Sequence, residues 1–150
     1  MPGYKAHIGG ALVLGGACLA GAVHFGYIGR EAQPLAALLG FFVLGALFPD
    51  VDTDSVGKRL FYGILLLADL YLLYDKRYEW AAWTGLCAIL PGVTHHRGWT
   101  HTWWAMLVAP LPILFLPALI GDASWRTFVP LYLAFAGGYF SHLALDRKFS

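Results

Sequence analysis

Apolar runs at 7–26, 32–48, 56–74, 79–93, 102–120 and 128–145 take up most of this chain. A helix that crosses a bilayer needs about 20 predominantly apolar residues. Six such runs in 150 residues leave no length for a separate soluble domain. The expectation is therefore all-α: one membrane-embedded domain over 1–150, an integral membrane helical bundle of about six transmembrane helices. The third and fourth runs are short and call for tilt or local thinning of the bilayer. Composition agrees, because 13% of the residues are charged, against about 25% in an ordinary soluble domain.

Several classes drop out. Ten Lys and Arg against nine acidic residues make no basic field, so membrane lipids are expected partners and nucleic acid is not. Cys18 and Cys87 lie in apolar runs and imply neither a disulfide framework nor a thiolate zinc site. Lys5, the apolar run after it and Ala20-Gly21-Ala22 have the outline of a signal peptide. Cleavage there would remove His7, and the segment is read as a retained span. Small residues four apart at Ala17/Gly21, Ala36/Gly40 and Gly137/Ser141 allow close helix approach in lipid. Pro110, Pro112 and Pro117 predict a kinked or interrupted fifth helix.

Spans joined by short loops must run up and down. One membrane face then collects the N-terminus, the loop after the second helix, the loop after the fourth and the C-terminus. His7, Pro49-Asp50-Val51-Asp52-Thr53-Asp54, His95-His96-Arg97-Gly98-Trp99-Thr100-His101 and the pair His142 and Asp146 all fall on that face. Five of the six histidines are gathered by topology rather than by any one segment. Lys5, Lys58, Arg59, Arg97, Arg147 and Lys148 share that face, against Arg30, Lys76, Arg77 and Arg126 on the other. The positive-inside rule leans the cluster toward the cytoplasm.

His142 and Asp146, four apart on a helix, point along one face and can grip one ion; a helix-end hydrogen bond is the plainer alternative. Ionisable groups near spanning helices are costly, which favours a functional role. The gap from His96 to His101 suits a turn at Gly98 that brings both imidazoles to the mouth of the fifth helix. Arg97 between them offers a fork for a phosphate or carboxylate. An interfacial belt would explain Trp99, Trp103 and Trp104, but not three histidines. His95 competes with His96, and adjacent side chains diverge. Asp50 and Asp52 offer hard oxygen ligands, one able to bridge two cations, with Asp54 left as an N-cap of the third helix. His7 completes the set. Three or four imidazoles with three carboxylates suit zinc, manganese or iron. Six or seven ligands are enough for two ions, as in hydrolytic sites where a metal-activated water attacks.

Other polar residues carry less. His24 lies 17 residues beyond His7, about 26 Å along one helix, and cannot join the cluster. Asp69 is an isolated acid in the third run, for an internal pair or a wet access path. Lys58 and Arg59 suit a lipid phosphate or simple anchoring equally.

Four pieces carry a wider resemblance: His7 before a Gly-rich helix, Leu47-Phe48-Pro49-Asp50-Val51-Asp52, His96-Arg97-Gly98-Trp99-Thr100-His101-Thr102, and His142-Leu143-Ala144-Leu145-Asp146. Across nearly the whole chain the sequence resembles the LexA-regulated, inner-membrane metal-dependent hydrolases, the YdjM-like family. That family is in turn similar to zinc-dependent phospholipases C and related single-strand nucleases, which hold a zinc cluster with His and Asp ligands from helices. The resemblance implies His7, Asp50, Asp52, His96, His101, His142 and Asp146 as metal ligands. It also implies divalent ions as cofactor, two zinc ions foremost with manganese or iron as alternatives, and a multi-pass protein of the bacterial inner membrane.

The expected function is a membrane-bound, phospholipase-like hydrolase that cleaves a phosphate ester of a lipid or headgroup-like substrate. Asp50 or Asp52 would bridge the metals or act as base, and Arg97 would steady the phosphate. No Gly-x-Ser-x-Gly nucleophile motif occurs, in keeping with attack by water. The rival is a divalent-metal transporter or metal-sensing membrane protein. Transporters set their sites near the midplane on broken helices of repeated halves, and no convincing repeat is present. A closed structural metal site is the third possibility.

Overall fold

Buried stripes on three helices decide the architecture. In a computed structural model, which describes residues 3–52, 54–93, 99–120 and 124–146, the α-helices are α1 (Tyr4–His24), α2 (Ala32–Leu47), α3 (Val56–Tyr74), α4 (Tyr78–Val93), α5 (Trp103–Val108), α6 (Leu111–Ile120) and α7 (Val129–Asp146). Short 3-10 helices at Phe48–Asp52, Trp99–His101 and Trp125–Phe128 join them. Helix α1 buries His7, Ala11 and Gly15, spaced so that all three fall on one face. On α2 the buried set is Leu38, Phe42, Gly45, Ala46 and Leu47, and on α7 it includes Phe135, Gly138, Tyr139 and His142. These three helices pack on one another, with α3 and α4 paired beside them and α5 and α6 laid against α7.

The α2/α7 crossing is the tightest place. A Cβ on Gly45 would overlap the Phe135 carbonyl, and one on Gly138 would overlap the Phe42 carbonyl, so backbone meets backbone there. Of the small residues expected to mediate close approach, Gly137 does lie against the Phe42 ring, whereas Gly21 and Gly40 have open space. Spacing alone does not say which face turns inward. Next to the crossing, the Phe48 ring is a hub, 5.6 Å from Phe135, 5.6 Å from Tyr139, 5.7 Å from Phe61 and 6.4 Å from Trp99.

The fifth run is interrupted as its prolines predict: α5 stops at Val108 and α6 restarts at Leu111, on either side of Ala109-Pro110. The N-cap of α3 is Ser55, which accepts from the Lys58 N–H at 3.0 Å, and not Asp54. Asp54 instead pairs with Lys58 along the helix at 3.4 Å. Among the described residues, four stretches are long and apolar enough to cross a membrane: Tyr4–His24, Ala32–Val51, Trp103–Ile120 and Trp125–Asp146. Helix α3 misses because Lys58, Arg59 and Asp69 dilute it, and α4 because it has 16 residues. The outer surface is greasy, with Val13 and Leu119 each 76% exposed and Leu67 69% exposed. Such a surface belongs against lipid.

Candidate metal centre

Five polar residues from four segments meet at one end of the bundle. His7 comes from the second turn of α1, Asp50 from the 3-10 helix after α2, His101 from the 3-10 helix before α5, and His142 and Asp146 from the last turns of α7. His142 Nε2 lies 3.7 Å from Asp50 Oδ1 and 3.5 Å from Asp146 Oδ2. Asp146 is also 3.4 Å from His7 Nε2 and 3.8 Å from His101 Nε2. The His7 and His142 rings stack at 3.8 Å, with His101 edge-on to His142 at 5.5 Å. Burial is graded: the side chains of His142, His7 and Asp146 are 0%, 3% and 3% exposed, those of His101 and Asp50 15% and 21%. The cluster therefore opens on the Asp50 and His101 side.

The ring of His142 is fixed by its surroundings. Its Nδ1 lies 2.7 Å from the Ala46 carbonyl, and a carbonyl can only accept, so the proton sits on Nδ1 and the lone pair on Nε2. Ala46 has this carbonyl to offer because α2 tightens into a 3-10 turn at its end, and the residue three further on is Pro49, which has no N–H. Among the described residues Nε2 is buried with no hydrogen-bond partner, as are His7 Nδ1 and Asp146 Oδ1. Asp146 closes α7, where the helix dipole opposes a negative charge, and among the described residues its ionic partners are all histidines.

That pattern fits a cation. Buried charges are paired or bind metals, and a metal-bound imidazole usually donates its other N–H to a carbonyl or carboxylate, as His142 does. His7, Asp50 and His142 each bring one ligand-type atom within 4.8 Å of the others, and so do His101, His142 and Asp146. The two triads share His142, whose one free lone pair can serve one ion. A second ion would have to be bridged by a carboxylate, for which Asp50 and Asp146 are placed.

His96 and Arg97, and the side chain of Asp52, lie outside the described residues. His24 ends α1, edge-on to Phe25 at 5.2 Å and far from the cluster. Asp69 has a buried Oδ1 without a hydrogen bond. Cys18 and Cys87 are free thiols. Sequence reasoning did not single out Ala46, whose contribution is a backbone atom, nor Tyr139. The Tyr139 hydroxyl, buried on the same face of α7 as His142, donates to the Thr100 carbonyl and ties the His101 turn to α7. A Tyr one turn before the site histidine, in an apolar helix, was a usable signal, because its hydroxyl needs a partner.

Fold and site together define a helical membrane protein with a buried His/Asp centre at one end of its bundle. The chain belongs to the YdjM inner membrane protein family, whose model matches residues 5–147. No curated protein and no solved structure matches it. The family description names a membrane and no reaction.

Proposed function

We propose that the protein is a multi-pass, metal-dependent hydrolase that cleaves a phosphate ester of a lipid or headgroup-like substrate, with its centre on the cytoplasmic side. The observation that carries this reading is His142: its protonated Nδ1 is tied to the Ala46 carbonyl while its Nε2 lone pair is buried, without a partner, between two carboxylates. His7, Asp50, His101, His142 and Asp146 would hold the metal, with Asp52 and His96 added from the sequence; zinc suits this donor set best, then manganese or iron. A divalent ion bound there supplies Lewis acidity and brings the pKa of its water toward about 7.

The protein's own part follows from the grading of burial. His7, His142 and Asp146 form a dry floor, and Asp50 and His101 stand at the open side where a substrate arrives. Asp50 would take a proton from an attacking water or join two ions. Arg97 would steady the phosphate with its planar fork. Elemental analysis of purified protein should find zinc or another transition metal at one to two ions per chain. The loaded protein should cleave phosphomonoesters, phosphodiesters or phospholipids in mixed micelles, and chelator should abolish this. A metal-loaded protein inert toward all these esters, but moving divalent cations across proteoliposomes, would replace this reading with transport.

A further inference from the structure

A second feature adjoins the His/Asp centre. A cavity of about 560 Å3 lies between α2, α3, α4, α6 and α7, within the range of about 300–1,000 Å3 usual for small-ligand sites. Among the described residues no charged side chain lines it, and the Thr84 hydroxyl in its wall is already spent on the Trp80 carbonyl at 2.8 Å. Its lining runs from Phe41 to Phe48 along α2, from Trp80 to Cys87 along α4 and from Phe128 to Phe135 into α7. Each stretch advances about 10 Å at 1.5 Å per residue, so the cavity is elongated along the helices.

Two residues of its wall stand next to the centre along the chain. Phe48 lines the cavity and stands two residues from Asp50; Trp99 lines it and stands two residues from His101. The Trp99 indole N–H is buried with no hydrogen-bond partner among the described residues, a donor left over in an otherwise apolar wall. Lys58, already paired with Asp54, and the exposed Arg59 lie in the first turn of α3, where a Cβ on Gly57 would come 3.1 Å from Asp50 Oδ2. An apolar cavity whose wall segments continue into metal-ligating groups suits an amphiphile, with hydrocarbon behind and an anion in front. The surrounding bilayer brings such molecules to this depth.

We propose that the cavity is the tail site of the centre, holding one hydrocarbon chain of a phosphate-bearing membrane lipid whose head then lies among Asp50, His101 and His142. This deepens the hydrolytic reading and rests on it for the fate of the head, while tail binding is measurable by itself.

The test uses the full-length, zinc-loaded protein and a long-chain alkyl phosphate with a terminal diazirine, photolysed and mapped by mass spectrometry. Adducts are expected on α4 near Cys87 or on α6 near Ile113. Unlabelled alkyl phosphate at about ten times its Kd should suppress them about tenfold, while the uncharged alcohol of the same chain should not. Ile113→Trp and, separately, Leu44→Trp should cut the adducts by filling the channel, with bound metal unchanged. Adducts confined to lipid-facing positions such as Val13 and Leu119, or equal competition by the alcohol, would overturn the tail site. Competed adducts in the cavity without hydrolysis of any ester would keep the tail site and remove the hydrolase. Hydrolysis of short soluble esters without cavity adducts would do the reverse.

Discussion

At the scale of single residues, the centre depends on which ring nitrogen of each histidine is free. His142 has its proton fixed by Ala46, so its contribution to a cation comes through Nε2 alone. His142→Ala should therefore strip bound metal, whereas His24→Ala, at the other end of α1, should leave the metal-to-chain ratio unchanged in the same elemental analysis. Tyr139 acts one step removed. Tyr139→Phe deletes the hydroxyl that holds the Thr100 carbonyl and should cost about 0.5–1.5 kcal/mol of stability. If its role is to place His101, the zinc affinity of the double variant Tyr139→Phe/His101→Ala should match that of His101→Ala alone. Additive losses would make Tyr139 merely structural. The histidines and carboxylates of the centre were legible in the sequence because their chemistry is written in their identity, while Tyr139 was passed over among many apolar-helix aromatics. The Ala46 carbonyl was not legible, since every residue carries one and only a folded crossing selects it.

At the scale of elements, the α2/α7 crossing sets the geometry on which His142 depends. Gly45 and Gly138 let the two backbones touch, and that contact brings the Ala46 carbonyl to His142. Gly138→Ala must push Phe42 and Ala46 backbone atoms aside, and backbone cannot give as a flexible side chain can. The expected cost is about 1–3 kcal/mol, read as a lower midpoint of thermal unfolding in detergent, together with weaker zinc binding. Gly21→Ala, whose Cβ would meet nothing within 4 Å, should leave both unchanged. The sequence carries small-residue spacing on several helices alike, so it could not tell the crossing from the lipid face. It was more informative where a rule acts locally: the break after Val108 follows from Pro110, and the start of α3 fell one residue from its expected cap because Ser and Asp compete equally for that place.

For the whole molecule, the gathering of His7, Asp50, His101 and His142 at one end does not require every helix to cross the bilayer. Four stretches meet the length and apolarity for a span, and α3 with α4 form a hairpin between the second and third of them. A hairpin returns to the face it left, whether it traverses the membrane or only dips into it. The end of α2 and the start of α5 are thus expected to share a side in either case, with the N-terminus and the end of α7 beside them. Single cysteines in a Cys18→Ser/Cys87→Ser background separate the cases. Gly3→Cys and Asp54→Cys should react with a membrane-impermeant maleimide from the same side, and Gly29→Cys from the opposite side. By the positive-inside rule, the excess of Lys and Arg beside the cluster gives the cytoplasm as the expected shared side. Asp75→Cys, at the tip of the α3/α4 hairpin, should label with Gly29→Cys if the hairpin crosses, as α3 at 19 residues, about 28 Å, is nearly long enough to do. Labelling of Asp75→Cys together with Asp54→Cys would reduce the spans from six to four and leave the centre where it is. Labelling of Gly3→Cys opposite to Asp54→Cys would separate His7 from Asp50 by a membrane and dismantle the centre.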